Sequence, residues 1–191
     1  MNNTQDKEIR HHEIRRESDS RLVEGYALRF NSPSTDEIGW IETINPNAIT
    51  EETIQRSDVF AYLDHDRTRG VLARSKNGNG SLELELRDDG LYYRFQAPNT
   101  PLGDELLSYL SRGEITSSSF CFSLFKEGGD RWYRDSQGRK CREILKIYKL
   151  YDVSPVFSPA YAATSCARRK VQELNEIESK LNDLRSDFLS L

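Results

Sequence analysis

Short runs in which apolar and polar residues alternate recur along the 191-residue chain. Alternation of this kind is typical of half-buried β-strands. Residues 81–87 alternate strictly, Asp88-Asp89-Gly90 has turn composition, and residues 91–96 alternate again, which predicts a β-hairpin. Further strands are predicted over the runs 22–30, 40–44, 58–63, 115–125 and 144–157. We expect a bulge near Gly25 and an interruption at Pro155, so the body is predicted to be mainly β-structure.

Helices are predicted at few places. Thr100 and Pro101 open an apolar helical face that Gly113 ends, and a short helix is predicted to begin at Asn45. From residue 168 the chain contains neither Gly nor Pro, and apolar residues recur at steps of three or four, which indicates an amphipathic helix of roughly three heptads. This order of elements is not βαβ, and it disfavours a doubly wound nucleotide-binding fold.

Composition excludes several classes of function. The formal net charge is -4, whereas a nucleic-acid-binding domain normally carries a basic excess. No stretch approaches the ~20 apolar residues of a membrane span, and the first residues lack the apolar region of a secretory signal. The cysteines Cys121, Cys141 and Cys166 are odd in number and form no CxxC pair, so we expect no disulfide framework and a reducing compartment.

His65 is the one histidine outside the N-terminal segment, because the other two are His11 and His12. It lies at the tip of a predicted strand between Asp64 and Asp66, where it could be a solvated turn residue. It could also act as a general base, since imidazole titrates near neutral pH. Any histidine-dependent chemistry in the body of the chain therefore requires His65.

Three consecutive serines and one acid are the further candidates. On a strand, Ser117 and Ser119 share a face and Ser118 points the other way, so one parity can meet a base. These serines could equally face solvent. Asp152 lies in an apolar strand, where it is either an exposed acid or a group that orients His65, because burial of an unpaired carboxylate is costly.

Six short segments, in order, resemble the HK97-type prohead (capsid maturation) serine proteases of tailed bacteriophages, which are distant relatives of the herpesvirus assemblins. They are GYALRFN (25–31), ETINPNAI (42–49), LDHD followed by VLAR (63–66 and 71–74), DDGL (88–91), LSRGEI followed by SFCF (110–115 and 119–122) and LYDVSPVFSPAY (150–161). Each segment alone is weak, and the six together with similar spacing are a strong signal.

The resemblance implies a catalytic site. His65 falls on the catalytic histidine, Ser119 on the nucleophile and Asp152 on an acidic third member, with Ser117 as the fallback nucleophile. No metal or cofactor is implied. Cys121 stands where the family usually has glycine.

The resemblance also implies an architecture and a setting. The fold expected is a β-rich α+β fold, a mixed or antiparallel β-barrel-like core of assemblin type with a few flanking helices and a C-terminal helix. We expect a disordered N-terminus (1–8), a protease domain (9–165) and the amphipathic helix (166–191). The implied substrates are the scaffolding part of the major capsid protein and the chain itself, inside the assembling prohead in the host cytoplasm.

The predicted partners include the chain itself, through autoproteolysis and through self-association of the C-terminal helix, but neither nucleic acid nor membrane. Two alternatives remain. The chain could be a catalytically inactive homologue that serves as a capsid assembly or scaffolding protein, with Cys121 as a sign of decay. It could also be a purely structural β-rich phage protein.

Overall fold

The computed structural model describes residues 8–16, 20–33 and 39–157, most of which lie in strands. The strands are β1 (Glu8–Arg16), β2 (Leu22–Arg29), β3 (Ile41–Ile44), β4 (Asp58–Ala61), β5 (Ala73–Lys76), β6 (Asn79–Gly80), β7 (Leu82–Arg87), β8 (Gly90–Gln96), β9 (Ser117–Leu124), β10 (Asp130–Arg134), β11 (Lys140–Ile144) and β12 (Ile147–Val156). The helices are α1 (Glu51–Gln55) and α2 (Pro101–Arg112), with a 3₁₀ turn at Arg67–Arg69.

Nine strands form one sheet in the order β6-β5-β4-β12-β9-β1-β2-β8-β7, and β10, β11 and β3 form a second, smaller one. Neighbours in the large sheet are antiparallel except β4 and β12, which are parallel. The prediction of a β-rich fold with few helices is confirmed. Among the described strands, β6 and β7 lie at the two ends of the large sheet without pairing with each other. The sheet is therefore open there, and the barrel-like core is not confirmed.

Strand β1 forms the corner between two halves of the large sheet. Its first part pairs with β9, from Glu8 opposite Phe122 to Glu13 opposite Ser117. Its last residues, from Ile14, pair instead with β2. A strand that changes partner in this way turns a sheet back over itself, so that two faces enclose one core.

The core combines side chains from both halves of that sheet. Phe120 and Phe122 of β9 stack with their ring centroids 5.0 Å apart, and they belong to the same buried cluster as Tyr93 and Phe95 of β8. On β9 these phenylalanines alternate with Ser119 and Cys121. Because successive strand residues point to opposite faces, one face of β9 packs into the core and the other carries polar groups.

Helix α2 begins and ends as the sequence predicts. The side chain of Thr100 accepts a hydrogen bond from the backbone N–H of Gly103, and Pro101 occupies the first turn. Gly113 ends the helix in the left-handed conformation, with φ of 72°, which glycine adopts without a steric penalty.

The predicted short helix at Asn45 is wrong by several residues. Asn45 Oδ1 accepts from the N–H of Asn47, and its Nδ2 donates to Glu143. These bonds hold residues 45–48 in a turn. Helix α1 starts only at Glu51, capped by Thr50.

Two expected strand irregularities also differ from the structure. The register shift in β2 lies between Tyr26 and Leu28 instead of at Gly25. Pro155 does not interrupt β12, and its carbonyl accepts from the N–H of Asp64 at 2.8 Å. Since the N–H and C=O of a strand residue point to the same side, the donor that proline lacks would face this loop and not β9.

Several predictions fall outside the described residues. These are the disordered N-terminus (1–8, apart from Glu8), the C-terminal end of the 9–165 domain, and the amphipathic helix (166–191). No helix of the described part has the length and apolarity that crossing a membrane requires.

Ser118 stabilises the corner from the core side of β9. It is fully buried, and its Oγ donates to the carbonyl of Tyr26 on β2 at 2.7 Å. Ser118→Ala removes this bond, and we expect the free energy of unfolding to fall by about 1–2 kcal/mol. Urea denaturation measures this, with Ser136→Ala in an exposed turn as the control. Equal stability of the two variants would contradict the role assigned to Ser118.

Candidate active site

The candidate residues lie on the polar face of the sheet where β9 and β12 pair. In this antiparallel register Asp152 lies opposite Cys121, and Ser154 lies opposite Ser119. Directly opposed residues share a face. Ser119, Asp152 and Ser154 therefore lie on one face, away from the stacked phenylalanines.

A β-bulge in β12 puts Asp152 on that face. Leu150 pairs with Phe122 on the core side, and the register then shifts, so that Asp152 pairs with Cys121. Without the extra residue, Asp152 would share the face of Leu150, two residues before it, and would point into the apolar core. The bulge thus allows one strand to bury both a leucine in the core and an acid on the polar face.

Strand β4 runs parallel to β12, and His65 reaches this face from the loop that follows β4. Asp64 and His65 both have left-handed backbone conformations, with φ of 54° and 59°. This conformation is uncommon in residues other than glycine, although Asp and His adopt it more often than most. The N–H of Asp64 donates to Pro155, and Asp66 caps the 3₁₀ turn that follows. The loop is therefore held on both sides of His65.

His65 and Asp152 form a hydrogen-bonded pair. The distance between His65 Nδ1 and Asp152 Oδ1 is 2.5 Å, and the two side chains are 14% and 6% exposed. A carboxylate accepts and does not donate, so the imidazole carries a proton on Nδ1. Nε2 is then the basic nitrogen, and it is buried without a hydrogen-bond partner in the described part of the chain.

The buried serine hydroxyls differ in what they bind. Ser118 donates to a backbone carbonyl, Ser123 contacts Tyr151 Oη, and Ser154 donates to Asp152. Ser119 is fully buried, and its hydroxyl has no partner among the described residues. Ser75 Oγ is also unpartnered, but it lies opposite Val59, whose side chain is in the core. Among the residues that the structure describes, Ser119 thus offers the one uncommitted buried serine hydroxyl on the polar face.

The other sequence candidates take different positions. Ser117 is half-buried and shares the face of Ser119, two residues away. Cys121 is buried on that face opposite Asp152. A cysteine side chain is therefore accommodated where the resembling family usually has glycine. The exposed-acid interpretation of Asp152 is wrong, since Asp152 is buried and bonded to His65.

One polar contact of the site was not singled out from the sequence. Ser154 Oγ lies 2.8 Å from Asp152 Oδ1, and the backbone N–H of Tyr62 points to the same hydroxyl at 3.3 Å. A signal was present, because Ser154 lies within the segment LYDVSPVFSPAY that carries the resemblance. Its spacing of two from Asp152 places both on one face of a regular strand.

A family model described as "Caudovirus prohead serine protease" matches residues 6–177. The chain belongs to this family. It is accordingly a serine protease of the kind that acts in the proheads of tailed bacteriophages. The recognition made from six sequence segments is confirmed, and so is the prediction that the chain is an enzyme.

A solved structure, the bacteriophage T4 capsid assembly protease gp21, is similar to this chain at 12% sequence identity and a TM-score of 0.48. The match covers 82% of this chain and 100% of the T4 chain. No curated protein matches the sequence.

The charged groups beside the site influence each other. The Nε and Nη2 of Arg74 donate to the two carboxylate oxygens of Asp58 at 2.7 and 2.6 Å. These hydrogen bonds lower the pKa of the Asp58 carboxyl from its ordinary value of 3.8. Directly after β4, burial raises the pKa of the Tyr62 hydroxyl.

The Asp58–Arg74 pair predicts how stability depends on pH. A carboxyl with a lowered pKa in the folded state adds stability above its ordinary value of 3.8, and the contribution is lost as the pH falls through the lowered pKa. Because the pair is partly exposed and screened by solvent, we expect Arg74→Gln to lower the free energy of unfolding only slightly at neutral pH. Urea denaturation over a pH series should show the difference vanish in acid. A difference in the free energy of unfolding that stays constant in acid would contradict the role of this pair. Lys126→Gln, which removes an exposed charge elsewhere, is the control.

Proposed function

We propose that this chain is a serine endopeptidase that uses Ser119 as nucleophile, His65 as general base and Asp152 as the orienting acid. The observation that carries the proposal is the bonded His65–Asp152 pair on the face where Ser119 keeps an uncommitted hydroxyl. A buried hydroxyl without a partner costs roughly 1–3 kcal/mol of stability. Such a cost is typical of groups retained for chemistry.

The arrangement supports an acyl-enzyme mechanism. Ser119 Oγ attacks the scissile carbonyl while His65 Nε2 takes its proton, and the same nitrogen later gives this proton to the leaving amine. Water then attacks the acyl-enzyme ester while His65 Nε2 takes a proton from it. The bond to Ser119 Oγ breaks, and Nε2 returns the proton to Ser119. Asp152 fixes the proton on Nδ1, so that Nε2 is the free base, and it stabilises the imidazolium that forms. In each step His65 Nε2 accepts or returns one proton, and neither a metal nor a cofactor takes part.

The substrates proposed are the scaffolding part of the major capsid protein and the chain itself. Support comes from the family, whose description places its members in the prohead. The enzyme then acts inside the assembling capsid in the bacterial host cytoplasm, and a phage or prophage encodes it. Self-association through residues 166–191 remains a part of the proposal that rests on the sequence pattern.

Ser117 is the alternative nucleophile. It shares the parity of Ser119 and is more exposed, so a substrate reaches it more easily. Its position opposite Val156 places it one strand repeat beyond the pair of Ser119 with Ser154. We favour Ser119 because the bonded acid, Asp152, lies opposite Cys121, on the other side of Ser119 from Ser117.

Variants of the serines test the proposal. The full chain is incubated with the capsid protein of the same phage, and intact masses are followed over time. We expect wild type to truncate the capsid protein, and Ser119→Ala and His65→Ala to lose at least about a thousandfold in rate. Ser118→Ala, which changes a core-facing hydroxyl, serves as the matched control and should cleave at nearly the wild-type rate.

Two results would contradict the assignment. Cleavage that persists in Ser119→Ala but is lost in Ser117→Ala would move the nucleophile by two residues. Absence of cleavage by wild type, with capsid assembly still dependent on the chain, would favour an inactive assembly protein. The Cys121 side chain at the site would then be the first position to change to glycine.

A further inference from the structure

We infer that Ser154 is a positioning residue, which holds the carboxylate of Asp152 in the orientation that His65 requires. The inference rests on the proposed function, and it assigns a role to a residue that the mechanism above does not use. Ser154 is fully buried, and its hydroxyl lies between Asp152 Oδ1 at 2.8 Å and the N–H of Tyr62 at 3.3 Å.

The two contacts fix the direction of the hydroxyl proton. A backbone N–H can only donate, so the oxygen of Ser154 accepts from Tyr62. A serine hydroxyl has a single proton, and with the backbone donor on one side this proton is free to point at Asp152. A carboxylate oxygen can only accept a hydrogen bond, so Asp152 Oδ1 is the acceptor for this proton. The contact with Tyr62 thus turns Ser154 into a dedicated donor to Asp152.

A donor is needed at this position because Asp152 is 4% exposed. Burial of a polar group is costly unless hydrogen bonds replace those that it made with water, and the Ser154 hydroxyl supplies one such bond. Both Ser154 Oγ and His65 Nδ1 contact the same oxygen, Oδ1, so Ser154 also limits rotation of the carboxylate that would break the bond to His65.

The same geometry links the two strands that carry the site. Tyr62 directly follows β4 and lies three residues before His65, while Ser154 and Asp152 lie on β12. The chain Tyr62 N–H, Ser154 Oγ, Asp152 Oδ1 and His65 Nδ1 closes a ring of contacts between β12 and the loop. Ser154 lies opposite Ser119, but its hydroxyl is committed to Asp152, so it does not compete as nucleophile.

The test compares Ser154→Ala with Ser154→Thr, which keeps the hydroxyl, and with Ser123→Ala, a buried hydroxyl bonded to Tyr151. Proton NMR of the full chain follows the Nδ1–H of His65, which is expected far downfield because of its short bond to Asp152. We expect Ser154→Ala to move this resonance upfield, and Ser154→Thr and Ser123→Ala to leave it in place. Cleavage of the capsid protein should fall roughly tenfold in kcat for Ser154→Ala, with KM unchanged.

A resonance and a kcat that Ser154→Ala leaves unchanged would overturn the inference. If Ser154→Ala fails to fold, Ser154→Cys replaces it, because a thiol is of similar size and a weak donor, and the same shifts are expected. Failure of the proposed function is distinguishable. In that case wild type does not cleave, or Ser119→Ala still cleaves. The NMR comparison is independent of cleavage, and it still shows whether Ser154 affects the bond between His65 and Asp152.

Discussion

The register in which β9 and β12 pair determines what the site can contain. It places Ser119 opposite Ser154 and, beyond the bulge, Cys121 opposite Asp152. A slip of β12 by one residue would turn Asp152 and Ser154 toward the core face, where Phe120 and Phe122 pack. Core packing of these aromatic rings therefore fixes the register, and the register in turn positions the polar groups. Stability and chemistry depend on the same strand pair, viewed from its two faces.

Because the polar groups of this face are buried, each needs a hydrogen-bond partner within the protein. Asp152 has two donors, His65 and Ser154, and Ser154 has Tyr62 as its own donor. These contacts explain how the Asp152 side chain can be buried away from water, where a charge without a partner would be very costly. In the described part of the chain, Ser119 Oγ and His65 Nε2 have no hydrogen-bond partner on this face. In the proposed mechanism these two atoms are the nucleophile and the base that act on the substrate.

Much of the site was predictable from residue type and parity. The separation of Ser118 from Ser119, the uniqueness of His65 and the hairpin at residues 82–96 follow from alternation and from composition. The helix α2 was equally clear, because Thr100 and Gly113 are strong end signals. In each case a local rule and the tertiary structure agree.

The remainder depended on contacts between distant segments. The bulge before Asp152 and the continuity of β12 through Pro155 both depend on neighbouring strands and loops, which no local pattern encodes. The turn at Asn45 is held by Glu143, nearly a hundred residues away, so local helix signals at Pro46 were misleading. The role of Ser154 needed the position of Tyr62, which follows β4 and lies 92 residues earlier in the chain.

In the proposed mechanism, His65 and Asp152 activate Ser119. A fluorophosphonate probe, which phosphonylates activated serines, tests it directly on the full chain in the presence of the capsid protein of the same phage. Peptide mapping by mass spectrometry should find one adduct, on Ser119, and little labelling in His65→Ala or Asp152→Asn. An adduct on another serine, or equal labelling of Ser119 without His65, would contradict the account.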